Sequence, residues 1–100
     1  MPELNIQYLN ELIDGIKQTT EKAYSIYVNE EQPDRQLLGK LYDEISEKMN
    51  AYYKHYKEAE ADPKDGYLTA WLYEGENDIK LSHIYYYISL TNDDEGVKEE

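Results

Sequence analysis

Two pairs of acidic residues at helical spacing are the residues of this chain whose types could support hydrolysis. They are Glu11-x-x-Asp14 and Glu44-x-x-Glu47. Residues three apart share one face of a helix, and carboxylate oxygens are ligands of the Mg²⁺ ions that assist phosphate hydrolysis. Both pairs lie outside the apolar stripes of their segments, and no Lys/Arg cluster accompanies them. We therefore interpret them as two solvated acidic faces and expect no enzyme.

The same four residues resemble the paired carboxylates of all-α nucleotide pyrophosphohydrolases. The resemblance is confined to them, and the order is reversed, because in that family Glu-x-x-Glu precedes Glu-x-x-Asp. It implies a Mg²⁺-dependent hydrolase as a distant alternative. The chain has no Gly-x-Ser-x-Gly turn, no glycine-rich phosphate loop and no Glu-x-x-His pair. We expect neither a metal nor a cofactor.

The combination of tyrosine with acid is the more informative pattern, since the chain has 12 Tyr, one Trp and no Phe. Tyr53 lies about 100° round a helix from the inward Tyr52, so its ring is predicted to be exposed. Tyrosine is enriched at interface hot spots, and surrounding carboxylates select a basic partner. Tyr73 repeats this chemistry beside further acids. The candidate partner-binding residues are Tyr53, Glu58, Glu60, Asp62, Tyr73, Glu74 and Glu76.

An acidic helical surface with tyrosines, here Tyr52-Tyr53 and the acids nearby, is similar to the surface of immunity proteins that neutralise nuclease bacteriocins. It also resembles DNA-mimic inhibitors, in which carboxylates take the place of phosphates. The likeness is one of surface chemistry and not of family membership. It implies a basic partner that handles nucleic acid, such as a nuclease or a DNA-binding protein.

The charge balance excludes other classes of partner. The 100 residues carry 22 Asp plus Glu against 10 Lys plus Arg, a formal net charge of -12. Direct binding to nucleic acid or to an anionic membrane needs clustered cations, which are missing here. The longest uncharged apolar stretch, 84–91, is far shorter than a spanning helix of about 20 residues. With no signal-like start and no cysteine, we expect a cytoplasmic protein.

These observations favour a non-enzymatic binding module that inhibits or regulates a basic, nucleic-acid-handling protein by occlusion. The alternative is a structural or adaptor protein that acts through self-association, such as a homodimer, or through helix–helix packing.

Two long amphipathic helices must position these residues. Steps of three and four predict helices over about 5–28 and 34–61, separated by a break at Pro33. The first stripe is Leu9, Leu12, Ile13, Ile16, Thr20, Ala23 and Ile26 or Tyr27. The second stripe is Leu38, Leu41, Ile45, Met49, Tyr52, Tyr56 and Ala59. Together they predict an antiparallel helical hairpin.

The segment 67–90 is open to two interpretations. Read as helices, Asp65 and Asn77 are caps, Gly75 follows the first helix, and the fold is an all-α bundle in one domain, 1–90. Read as strands, the segment is a β-hairpin and the class becomes α+β. Strict alternation fails midway, which favours helices. Residues 91–100 read as a disordered acidic tail.

Overall fold

The computed structural model describes residues 3–90, and every regular element in that range is helical. The elements are α1 (Ile6–Asn29), α2 (Arg35–Glu58), a 3₁₀ turn (Pro63–Asp65), α3 (Tyr67–Glu74) and α4 (Asn77–Ser89). The predicted all-α bundle is confirmed, and the alternative of a β-hairpin at 67–90 is wrong. The expected acidic tail, 91–100, lies outside the described residues.

Helices α1 and α2 form the predicted antiparallel hairpin. The backbone N–H of Asn5, at the start of α1, donates to Nε2 of His55 near the end of α2 over 2.8 Å. Each helix has a side-chain cap, because Asn5 accepts from the Tyr8 amide and Asp34 accepts from two amides of the first turn of α2. The buried positions of the hairpin follow the predicted stripes: Leu9, Ile13, Ile16, Thr20, Ala23, Leu38, Leu41, Ile45, Tyr52 and Tyr56.

The shorter helices bury these stripes in two clusters. At the end where α1 begins and α2 finishes, Leu68 of α3 and Leu81 of α4 join Ile13, Ile45 and Tyr52. At the opposite end, Ile84 of α4 packs with Ala23, Leu38 and Leu41. Because each cluster draws on at least three helices, the hairpin needs the C-terminal elements to cover its apolar side.

Tyr87 fixes the end of α4 against the loop between α1 and α2. Its hydroxyl donates to the Pro33 carbonyl over 2.5 Å, and its own carbonyl accepts from Nε of Arg35 over 3.2 Å. The Arg35 guanidinium also lies over the Tyr87 ring, 4.8 Å from its centroid. Of the three consecutive tyrosines in α4, Tyr85 and Tyr86 are exposed and Tyr87 is half-buried.

The boundaries of α3 and α4 differ in detail from the sequence prediction. Gly75 ends α3 as expected, but the N-cap positions are Gly66 and Glu76, and neither of these two residues makes a side-chain cap hydrogen bond. The caps predicted at Asp65 and Asn77 are therefore wrong by one residue. The side-chain amide of Asn77 instead donates to the backbone carbonyl of Trp71 over 2.7 Å, so it links α4 to α3.

Candidate functional site

A cleft lined by two tyrosines opens where the last turns of α2 meet α3. Its volume is about 460 Å³. We call it the tyrosine cleft; its lining residues are Tyr53, Pro63, Lys64, Thr69, Leu72 and Tyr73. Tyr53 is 39% exposed and Tyr73 is 67% exposed. The structure thus brings together the two rings that the sequence singled out, although they are 20 positions apart in the chain.

Gly66 and Tyr52 position α3 along the cleft. A Cβ built on Gly66 would overlap the Tyr52 hydroxyl and lie 2.7 Å from the hydroxyl of Tyr56, so only glycine allows this approach. The Tyr52 hydroxyl accepts from the Leu68 amide over 3.4 Å. That amide is in the first turn of α3, where the helix supplies no backbone acceptor. The Tyr52 hydroxyl therefore satisfies a donor that a capping side chain usually satisfies. Thr69 donates to the Pro63 carbonyl over 3.1 Å and holds α3 to the 3₁₀ turn.

The Tyr53 ring of the cleft is a neutral hydrogen-bonding group at physiological pH. Burial raises the pKa of the Tyr53 phenol, and the neighbouring phenols of Tyr73 and Tyr52 raise it further. The Tyr53 ring rests edge-on against Tyr52, with centroids 5.7 Å apart and planes at 88°. The core therefore holds the Tyr53 ring in place, and the ring presents a hydroxyl able to donate or accept a hydrogen bond.

Three of the predicted carboxylates lie on the segment that joins α2 to the cleft. Glu58 is the last residue of α2 and is exposed. Glu60 is exposed and has φ 56°, in the left-handed region. Its neighbour Ala61 donates to the Tyr56 carbonyl over 3.0 Å, so the end of α2 has the Schellman pattern in which glycine is usual at the position of Glu60. Asp62 is exposed and accepts from the Lys64 amide over 2.9 Å.

The remaining two carboxylates lie at the corner between α3 and α4. Glu76 is exposed and has φ 56°, like Glu60. Glu74 does not line the tyrosine cleft. It lines a separate cleft of about 400 Å³ between α1 and α3, together with Asp14, Lys17 and Trp71. The predicted set is therefore divided, with Tyr53 and Tyr73 in one cleft and Glu74 on the other side of α3.

Sequence reasoning missed four residues of the cleft: Pro63, Lys64, Thr69 and Leu72. The stretch 61–66 combines Pro and Gly with aspartates, a pattern that indicates a break between elements, and no periodic signal marks a residue of a turn as part of a surface. Lys64 matters most among them, because it places a positive charge in a cleft whose rings are predicted to bind together with neighbouring carboxylates.

The carboxylate pairs of the hydrolase alternative are exposed on α1 and α2. Glu11 and Asp14 are both exposed on α1, where Asp14 also lines the cleft between α1 and α3, and Glu44 and Glu47 are exposed on α2. Within residues 3–90, no group of three or more His, Cys, Asp or Glu side chains could hold a metal ion. No helix in this range is both long enough and apolar enough to span a membrane.

Comparison with known proteins gives no family for the chain. No protein-family model, no curated protein and no solved structure matches it.

Proposed function

We propose that this protein is a small acidic binding module that docks on a basic, nucleic-acid-handling protein and blocks or regulates it. The observation that carries the proposal is the tyrosine cleft, in which Tyr53 and Tyr73 present two exposed rings. The exposed Asp62 comes directly before Pro63 of the cleft wall in the chain. Rigid amphipathic rings are common anchors of protein interfaces. The net charge of -12 favours a basic partner and speeds the encounter.

Backbone strain at two of the carboxylates supports the same assignment. Glu60 and Glu76 both have φ 56°, a conformation that glycine adopts at no steric cost. A left-handed backbone costs an ordinary residue about 1 kcal/mol. Such outliers concentrate at functional sites. A role for the two side chains in binding explains why glutamate, and not glycine, occupies these positions.

The mechanism is occlusion with electrostatic steering. Carboxylates on this surface occupy the region of the partner that would otherwise receive phosphate, while the aromatic pair supplies apolar contact area. Lys64 opposes this field locally, because its charge has the same sign as that of the partner. Replacing Lys64 with Gln is therefore expected to tighten the complex, which a phosphate-binding surface would not show.

Affinity capture with the full chain at low and high salt tests the proposal. The double variant Tyr53→Ala/Tyr73→Ala removes the aromatic pair. The matched control is Tyr85→Ala/Tyr86→Ala, since those rings are also exposed but lie on α4. Proteins retained by the wild type are identified by mass spectrometry, and the strongest candidate is purified for calorimetric titration with all three forms.

The expected result is one basic partner, retained at low salt and released near 1 M salt, where the Debye length falls to about 3 Å. Loss of the aromatic pair should weaken binding at least tenfold, and the α4 control should bind as the wild type does. A complex that is insensitive to salt would refute the electrostatic mechanism. Equal weakening by both double variants would show that the tyrosine cleft is not the binding site.

Self-association is a second candidate, favoured by apolar side chains on the outer side of α4. Ile79 is 48% exposed, Tyr85 is 56% exposed and Tyr86 is 67% exposed. Light scattering coupled to size exclusion decides this point. A stable dimer of the wild type, dissociated by Tyr86→Ala, would favour a structural or adaptor protein. A protein that stays monomeric at high concentration would refute self-association.

A further inference from the structure

The cleft between α1 and α3 combines aromatic rings with carboxylates that come from both helices. We call it the α1–α3 cleft; its volume is about 400 Å³. Helix α3 contributes Tyr67, Trp71 and Glu74, and α1 contributes Asp14 and Lys17. Residues at steps of three and four share one face of a helix, so each helix turns a single face toward the cleft. The volume lies within the range of about 300–1,000 Å³ that is usual for ligand sites.

Trp71 forms a fixed aromatic wall of this cleft. It is half-buried and packs against the core cluster that contains Ile13 and Leu68. Its backbone carbonyl accepts from the side chain of Asn77, which holds this end of α3 against α4. Tyr67 lies one turn earlier on the same face and is 72% exposed. Because tryptophan attracts cations more strongly than the other aromatic side chains do, this wall favours a positively charged group.

The charges of the cleft favour the same kind of group. Asp14 and Glu74 are exposed, so both carboxylates are open to an incoming cation. Lys17 is half-buried, and within residues 3–90 no ion pair joins it to either of them. Two carboxylates and one ammonium group give the lining a formal charge of -1. The cleft is therefore complementary to a single positive charge, whereas an anion would be repelled by both carboxylates.

We propose that the α1–α3 cleft receives an arginine side chain of the basic partner, with the guanidinium group against Trp71 and paired with Asp14 and Glu74. A guanidinium group stacks on an aromatic ring and forks to carboxylates, whereas the lysine ammonium group is a compact and strongly hydrated point charge. The identity of the partner rests on the proposed function. Helix α3 also lines the tyrosine cleft through Tyr73, so a partner docked on this helix reaches both clefts.

Tryptophan fluorescence of the full chain tests the site directly, because Trp71 is the only tryptophan of the chain. The probe is Nα-acetyl-L-arginine amide, titrated at constant ionic strength. Two matched probes are the corresponding amides of lysine, which has the same charge without the planar fork, and of citrulline, which has nearly the same shape without the charge. We expect a saturable change with arginine at a Kd of about 1–10 mM. Lysine should bind about threefold more weakly, and citrulline should not saturate.

Two variants and a matched control locate the interaction. Asp14→Asn and Glu74→Gln should each weaken binding of the arginine probe by about threefold, the effect of losing an exposed ion pair. The control is Glu11→Gln, which removes the same charge from an exposed position of α1 that does not line the cleft. The inference is overturned by the absence of a saturable change, by equal binding of the lysine or citrulline probe, or by equal affinities of Asp14→Asn and Glu11→Gln.

Failure of this inference is distinguishable from failure of the proposed function. If the arginine probe does not bind, the inference is wrong, but the proposed function stands because it is tested through Tyr53 and Tyr73. If the arginine probe binds but the complex with the captured partner is insensitive to salt, the proposed function is refuted. The assignment of the arginine to that partner is then refuted with it.

Discussion

Gly66→Ala is expected to destabilise the fold strongly, although the backbone at this position is ordinary. Gly66 has φ -89° and ψ 164°, values open to any residue. Space is what requires glycine, since a Cβ would overlap the Tyr52 hydroxyl and press on that of Tyr56. Tyr52 cannot move away freely, because it is fully buried and its hydroxyl accepts from the Leu68 amide.

The magnitude follows from two costs. Overpacking a tight core costs about 1–3 kcal/mol, and breaking the bond to a buried amide costs about 1–3 kcal/mol more. We expect a loss of about 3 kcal/mol in the free energy of unfolding. For a domain of this size that loss lowers the Tm by about 10–25 °C.

Gly39→Ala is the matched control. Gly39 lies in α2, and a Cβ there would meet nothing within 4 Å. Alanine should therefore stabilise the helix by about 1 kcal/mol. Urea unfolding followed by far-UV circular dichroism measures both variants. A Gly66→Ala protein as stable as the wild type would refute the packing of α3 described above, because it would show that the Tyr52 hydroxyl does not lie against Gly66.

Three further outcomes are expected. Burial, together with the hydrogen bond to Tyr56, raises the pKa of Tyr52 to about 12. The phenol of the unfolded chain therefore loses its proton at a lower pH than that of the folded chain, and the free energy of unfolding should fall between about pH 10 and 12. Urea unfolding over that range should show a smaller fall for Tyr52→Phe than for the wild type. Tyr87→Phe should lower the free energy of unfolding in urea by about 1 kcal/mol, because it removes the hydrogen bond to the Pro33 carbonyl. The control is Tyr86→Phe, which should be as stable as the wild type because Tyr86 is exposed. Glu60→Gly should raise the free energy of unfolding by about 1 kcal/mol in thermal unfolding, because glycine adopts a φ of 56° without strain, and it should weaken partner binding. A loss of stability in this variant would contradict the argument from backbone strain.

Local pattern was sufficient to predict the hairpin. Apolar residues at steps of three and four set both long helices, and the observed ends differ from the predicted ones by no more than three residues. The same period placed Tyr52 inward and Tyr53 outward, which the structure confirms. At 67–90 the failure of strict alternation favours helices, but these short segments rich in tyrosine leave a β-hairpin open as the alternative.

Proximity between distant segments could not be predicted in this way. Glu74 and Tyr73 are adjacent in the chain, yet a step of about 100° round α3 puts them in different clefts. Lys64 enters the tyrosine cleft because the 3₁₀ turn folds back beside α2.

The sequence by itself determined the charge, the two amphipathic helices and the exposure of Tyr53, because each depends on composition or on the geometry of a single helix. Tertiary structure decided that Tyr53 and Tyr73 share a cleft and that α3 and α4 cover the apolar side of the hairpin. Both depend on where α3 and α4 lie on the hairpin. Contacts such as those of Gly66 with Tyr52 and of Tyr87 with Pro33 fix that placement, and such contacts leave no periodic trace in the sequence.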